Sequence, residues 1–151
     1  MVQFPGNLAG ITDPHRLLQL TLQEFDAETG TIHVLGADGM LHLRASAGPV
    51  PPAVMDAIRV IPVGKGVAGQ AVALARPINI CNIQKTDGGG AARPGARQTG
   101  VQGSLCVPMM VDGQAIGALG VASFRERDFA PDEVKLLLEA GQYIGRMLWS
   151  S

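Results

Sequence analysis

The chain has 151 residues with 46% hydrophobic and 17% charged residues, which fits one compact domain with a substantial core. Its net charge of −1 provides no field that would hold nucleic acid or an anionic membrane surface. The apolar runs are too short to span a bilayer, and the N-terminus lacks the features of a signal peptide. Two cysteines do not make a disulfide framework, so we expect a cytoplasmic protein.

The first predicted element is a helix that begins at Asp13-Pro14. Asp can cap the free amides of a helix, and Pro suits the first helical position. Apolar residues that include Leu18 then recur at helical spacing, and the helix is expected to end near Asp26–Gly30.

A β-hairpin is predicted next, because Asp38-Gly39 separates two segments in which apolar and polar residues alternate. A two-residue loop there places the apolar residues on one face, with Val34 opposite Leu43 and Ile32 opposite Ala45. The other face then carries the polar residues His33, His42 and Arg44. A short helix is predicted at 53–58.

The stretch from 59 to 83 predicts an apolar strand, a glycine turn, a short helix and a second apolar strand. Its Gly64-x-Gly66-x-x-Gly69 matches the dinucleotide-binding fingerprint in the strand-to-helix context that this motif requires. A doubly wound nucleotide-binding fold needs several alternating strands and helices, whereas this chain has one such unit between two hairpins. We therefore interpret the glycines as residues that close a turn and let a helix pack tightly.

The segment Gln84–Gly100 is polar, lacks a clear period and is longer than an ordinary connection. Such loops are usually functional. Its Arg93 and Arg97 could clamp an anionic ligand, or they could be solvated loop charges.

A second hairpin is predicted from strands at 102–111 and 114–124 around Asp112-Gly113. The predicted pairs are Met109 with Ile116, Met110 with Ala115, Val107 with Ala118, Leu105 with Gly120 and Cys106 with Leu119. Both faces are largely apolar, which predicts a central position in a sheet covered on both sides.

One face of this hairpin carries small side chains, because Ala118, Gly120 and Ala122 alternate along a strand. They leave room either for a ligand or for a closely packed helix. Gln102 and Ser104 could orient a ligand from the adjacent strand.

The last predicted helix begins at Pro131 and has acidic residues in its first turn. It carries two apolar stripes, of which one can lie on the sheet. The second stripe needs a partner, either the first helix or another subunit. We predict a homodimer through the two terminal helices, with contacts from Leu18, Leu136, Ala140, Tyr143 and Met147.

In their order and spacing, these motifs resemble the GAF domain family over nearly the whole chain. The segments that carry the resemblance are Ile61–Gly69, Pro77–Ile80, Gly103–Met109, Asp112–Val121 and Phe129–Glu133. The implied fold is α+β, with a central antiparallel sheet of about six strands, the terminal helices on one face and a pocket on the other. We assign the domain to residues 13–149, with an N-terminal extension at 1–12 and a tail at 150–151.

The resemblance implies a small-molecule-binding sensory or regulatory module in signal transduction. From the residues themselves we expect it to be dimeric through its terminal helices and without catalysis. Its signal would pass from ordering of Gln84–Gly100 to the terminal helices and on to a histidine kinase or another output protein. The candidate ligand-binding residues are Cys81, Arg93, Arg97, Gln102, Ser104, Cys106 and Gly120. The ligand and any cofactor stay open, because family members bind different small molecules.

We weigh three alternatives to this sensory role. Small free-standing members of the family reduce free methionine-R-sulfoxide, but one of their cysteines would follow Val67, where this chain has Ala68. A redox enzyme would therefore have to use Cys81 and Cys106, which are otherwise ordinary small hydrophobes. Cyclic nucleotide binding is not indicated, because Ala122-Ser123 stand where that branch has Asn-Lys. An interaction scaffold without a ligand is the third alternative.

Other chemistry has little support. Two histidines, His33 and His42, without a third clustered ligand are a poor metal site. The sequence shows no Ser/His/Asp triad, phosphate-binding loop or paired carboxylates with an evident site. We therefore assign no catalytic or metal-binding residues.

Overall fold

The computed structural model describes residues 4–49, 51–81 and 102–149. Within them a short 3-10 turn, Gly6–Leu8, precedes four helices and six strands. In chain order these are α1 Pro14–Phe25, β1 Thr29–Leu35, β2 Met40–Ala47, α2 Pro52–Ile58, β3 Val60–Pro62, α3 Gly66–Leu74, β4 Ile78–Ile80, β5 Gly103–Val111, β6 Gln114–Ser123 and α4 Pro131–Trp149. None of the described helices is long and apolar enough to cross a membrane.

The six strands form one antiparallel sheet in the order β3-β2-β1-β6-β5-β4. The predicted α+β architecture with a central antiparallel sheet is confirmed. The second hairpin, β5 and β6, lies inside the sheet as its apolar faces require. The short strands β3 and β4 form the two edges.

Helices α1 and α4 cover one face of the sheet and enclose the larger apolar core. Leu17, Leu18, Leu137 and Ile144 from these helices are fully buried against sheet residues that include Leu119. Each such side chain contributes roughly 1.5–3 kcal/mol when it leaves water. This face therefore holds the fold together.

Helix α3 packs on the opposite face over a smaller core. Ala71 and Val72 of α3 cluster there with Leu41, Cys106 and Ala118 of the sheet. The sheet is thus covered on both sides, although unequally.

The glycine stretch at the start of α3 has the structural role predicted for it. Gly64 and Gly66 have φ of 95° and 66°, a region that side chains disfavour. A Cβ at Gly69 would lie 2.6 Å from the Pro62 carbonyl oxygen. The glycines therefore close the turn and let α3 pack against β3.

The first hairpin differs from the predicted register. Ile32 pairs with Ala45 as predicted, but Val34 pairs with His42 rather than Leu43. The loop has three residues instead of two, which shifts the pairs near the turn by one residue. Arg44 then forms a bulge, and beyond it the pairs agree with the predicted register again. His33 and His42 consequently lie on opposite faces of the sheet, and the predicted polar face is wrong.

The second hairpin also contains a bulge. Met110 pairs with Ala115 as predicted, whereas beyond the bulge Val107 pairs with Leu119 and Cys106 with Gly120. Two residues of β6, Ile116 and Gly117, stand opposite Met109 alone, and this extra residue causes the shift. A side chain at Gly117 would collide with the backbone carbonyl of His33 on β1, so the bulge requires glycine.

Candidate functional site

Four half-buried residues form a small, uncharged surface on the sheet face opposite α1 and α4. Thr31 pairs with Gly120, and Ser104 pairs with Ala122, so these four residues share that face. We call these residues the floor. Helix α3 covers the neighbouring part of the same face, around Ala118, and leaves the floor partly open.

Gly120 lies at the centre of the floor. A Cβ built there would lie 3.5 Å from Thr31 Oγ1 and 3.7 Å from Cys106 Sγ, which are ordinary contact distances. The position therefore tolerates a methyl group, whereas a larger side chain would project into the space above the sheet. Within the described residues, the hydroxyl groups of Thr31 and Ser104 have no hydrogen-bond partner.

The sequence-predicted ligand residues are only partly brought together. Ser104, Cys106 and Gly120 lie side by side, with Cys106 at the covered end. Gln102 stands one residue before β5 and donates its backbone N–H to the Ser123 carbonyl at 2.8 Å. Cys81 is exposed after β4. Arg93 and Arg97 lie outside the described residues.

The two cysteines are poorly placed for joint chemistry. Ile80 pairs with Ser104, so Cys81 and Cys106 are about three residues apart along neighbouring strands, roughly 10 Å between Cα atoms. A disulfide needs Cα atoms within about 7 Å. Burial also raises the pKa of the Cys106 thiol to about 12, which keeps it protonated at neutral pH.

Thiol titration is expected to separate the two cysteines. At about pH 8, a pKa of about 12 leaves roughly one Cys106 in ten thousand as thiolate, and the side chain is also covered. A disulfide reagent should therefore modify one thiol in the folded protein and the second only after unfolding. The Cys81→Ser variant should show no fast thiol, and two fast thiols in the parent chain would disprove this arrangement.

His33 is a buried histidine beside the floor, whereas the sequence placed it on a polar face of the sheet. Its side chain lies on the same sheet face as the floor, in the part that α3 covers, and is 2% exposed. Nε2–H donates to the Ile58 carbonyl at 2.8 Å, while Nδ1 is buried without a partner among the described residues. Burial lowers the pKa of His33, and the bond to Ile58 offsets part of this effect.

The lowered pKa of His33 predicts a loss of stability in acid. The neutral ring is the form that suits the fold, so its contribution is complete above the ordinary pKa of 6.5 and is lost as the pH falls below it. His33→Gln keeps an N–H donor for Ile58 but cannot titrate. Urea unfolding between about pH 7 and about pH 5 should show a smaller pH slope for this variant than for the parent. The exposed control His15→Gln should keep the parental slope.

The predicted dimer contacts fall into two groups. Leu18 and Ala140 are fully buried in the chain's own core and offer no surface to a second copy, because each lies on the sheet-facing side of its helix. Tyr143 is 39% exposed, and Leu136 and Met147 are half-buried. Of the predicted contacts on α4, Leu136, Tyr143 and Met147 therefore remain accessible. We call these three residues the outer stripe.

Among the described residues, no group of three or more His, Cys, Asp or Glu side chains could hold a metal ion. Thr31 was not predicted, because alternation alone does not show which face of β1 stays open. The pairing of Thr31 with Gly120 on the neighbouring strand places it in the floor, and the sequence does not show which strand lies beside β1.

The family model described as GAF domain matches residues 12–148. No match was found among curated protein sequences. Solved structures similar to this chain include the free methionine-R-sulfoxide reductase from Neisseria meningitidis in complex with its substrate, with 20% identity and a TM-score of 0.76 over 96% of this chain and 83% of that one.

Two further similar structures are domains of a phosphotransferase and of a sensor histidine kinase. The GAF domain of an Acinetobacter phosphoenolpyruvate-protein phosphotransferase has 16% identity and a TM-score of 0.73 over 91% of this chain and 80% of that one. A domain of a protein assigned as a two-component sensor histidine kinase from Sinorhizobium meliloti 1021 has 16% identity and a TM-score of 0.72, over 89% and 87% of the two chains. At these identities the similarity shows the fold alone.

Proposed function

The chain belongs to the GAF domain family, and we propose that it is a non-catalytic, cytoplasmic sensory module that binds a small molecule over the floor. GAF domains often serve as sensory or regulatory modules. The observation that carries the proposal is the half-covered sheet face, on which α3 stops short of Thr31, Ser104, Gly120 and Ala122. A purely structural face would gain from burying these positions under larger side chains.

The floor favours a ligand with a flat, weakly polar portion. Its three side chains are small and uncharged, Gly120 adds none, and the hydroxyl groups of Thr31 and Ser104 can form hydrogen bonds. Such sites usually combine an apolar surface with a few placed polar groups. The proposal keeps Arg93 and Arg97 as candidates for binding an anionic group of the same ligand.

Support for a non-catalytic role comes from the cysteines. Free methionine-R-sulfoxide reduction needs a thiolate and a resolving thiol, whereas Cys106 is protonated and distant from Cys81. Ala68 also stands where the related enzymes would have a cysteine. The test is an assay of free methionine-R-sulfoxide with a thiol reductant. We expect no turnover above that of the Cys106→Ser variant, and turnover that this variant abolishes would establish the enzyme instead.

We also propose that the module is a homodimer through the outer stripe of α4. Leu136→Glu should weaken association at least about tenfold, since it places a charge among apolar contacts. Light scattering at micromolar concentration should give twice the chain's mass for the parent and a lower mass for the variant. Gln142→Glu, about a third of a turn away on α4, is the matched control and should stay dimeric. A monomeric parent chain would remove this part of the proposal.

The output partner is proposed to be a histidine kinase or another signalling protein. The support is that similar folds include a domain assigned to a sensor histidine kinase. A signal from the floor would reach such a partner through the terminal helices, on the other face of the sheet.

A further inference from the structure

The connection between β6 and α4, residues 124–130, contacts three separate parts of the fold. We call this segment the strap. It follows the last strand beside the floor and leads directly into the first turn of α4. Its contacts also reach the end of α1 and the edge strand β4, which are distant in the sequence.

Arg127 makes most of these contacts. Its guanidinium donates to the Asp26 carbonyl at 3.1 Å, to Ser123 Oγ at 3.3 Å and to Glu133 Oε2 at 3.1 Å. It also lies 4.4 Å from the centre of the Phe129 ring, which is buried. The Arg127 side chain is 16% exposed, so these interactions are poorly screened by solvent. One planar group thus joins the end of α1 to the start of α4.

Each of the two helix ends that Arg127 joins also has a capping interaction of its own. Asp26 adopts the left-handed conformation that ends α1, with φ of 50°. At α4 the backbone N–H of Ala130 donates to Glu133 Oε1 at 3.0 Å, which is half of a capping box. Glu133 therefore binds the helix start with one oxygen and Arg127 with the other.

The strap is also attached to β4. Asn79 Nδ2 donates to the Phe129 carbonyl at 2.9 Å, and the Arg127 backbone N–H donates to the Cys81 carbonyl at 3.1 Å. A Cβ at Gly103 would lie 2.7 Å from Arg127 Cβ, so the strap is seated directly against the start of β5. A displacement of β4 therefore moves the backbone that carries Arg127.

We infer that Arg127 energetically couples edge strand β4 to the end of α1 and the start of α4. The inference rests on the proposed function and deepens it. Strand β4 pairs with Ser104 of the floor, and the terminal helices are the proposed route to the output partner. Arg127 is a positioning residue in this account, since it acts through the strap and not on a ligand. Loosening β4 loosens both helix ends, provided that the guanidinium is present.

The test is native-state hydrogen exchange on the full chain, with a double-mutant cycle between Asn79 and Arg127. The reporters are the backbone amides of Asp26 and Ala27, which donate to the last turn of α1, and of Val134 in α4. Asn79→Ala removes the side-chain attachment of β4. Arg127→Met keeps an unbranched apolar stem and removes the guanidinium. Arg125→Met is the matched control, because Arg125 also binds Asp26 and Glu28 but, among the described residues, makes no hydrogen bond to α4.

In the parent chain, Asn79→Ala should accelerate exchange at Asp26 and Ala27 on the order of tenfold. The same substitution should have less than about a twofold effect there in the Arg127→Met background, and its full effect in the Arg125→Met background. A merely structural Arg127 would give additive effects, and additivity overturns the inference, as does an Asn79→Ala variant that leaves both helix ends unchanged.

Arg127→Lys provides a second version of the cycle if Arg127→Met does not fold. It retains a cation for Glu133 but lacks the fork in which Nη1 reaches Asp26 and Ser123 while Nη2 binds Glu133. No ligand enters these measurements, so the coupling can fail while the proposed ligand site stands, and the reverse is equally possible.

Discussion

Replacing Gly117 by alanine is expected to lower the free energy of unfolding by about 3 kcal/mol. The new Cβ would collide with the backbone carbonyl of His33 and with the side chain of Met109. Neither neighbour can move aside without a loss of stability, because His33 belongs to a central strand and Met109 is fully buried in the main core. The bulge would have to open, and with it the register of β6 against both neighbouring strands.

Urea unfolding followed by circular dichroism measures this loss, provided that the m-value is unchanged. Gly120→Ala is the matched control on the same strand, since its Cβ meets only ordinary contacts at 3.5 Å and beyond. We expect its free energy of unfolding to stay within about 1 kcal/mol of the parent value. Equal effects at the two glycines would mean that the bulge does not depend on Gly117.

Replacing Gly120 by leucine is expected to weaken ligand binding by about 100-fold or more while the fold is kept. The branched side chain would start between Thr31 Oγ1 and Cys106 Sγ and could extend only into the space above the floor. A ligand that rests on the sheet would lose that space. The reduction concerns binding alone, because the position is half-buried and the larger core lies on the other face.

The controls for this prediction use the same position. Gly120→Ala should retain most of the affinity, because a methyl group makes only ordinary contacts there. Thermal unfolding of the leucine variant should stay cooperative, which shows that lost binding is not lost folding. A leucine variant that binds as tightly as the parent would place the ligand elsewhere.

The sequence predicted the architecture well, because the order of turns and apolar segments determines which strands are neighbours. Asp112-Gly113 between two apolar strands was enough to place a hairpin inside the sheet. Alternation predicted the pairs near that turn, such as Met110 with Ala115. It failed beyond Gly117, since one extra residue in a strand shifts every later pair and leaves no periodic signal.

The strap was beyond sequence reasoning for a different reason. Arg127 and Asp26 are 101 residues apart, and their contact depends on where two helix ends meet in space. The terminal helices show the same limit at Leu18 and Ala140. Their apolar stripes were evident, yet only the packing shows that these two side chains face the sheet and that Tyr143 does not.

Native mass spectrometry tests the central claim, that the floor is the ligand site, most directly. The parent chain, Gly120→Ala and Gly120→Leu would be measured side by side, freshly purified and after incubation with a mixture of small metabolites. We expect a small-molecule complex with the parent chain and the alanine variant that is absent from the leucine variant. A complex that survives Gly120→Leu, or a parent chain that forms no complex under either condition, would contradict a ligand site on this face of the sheet.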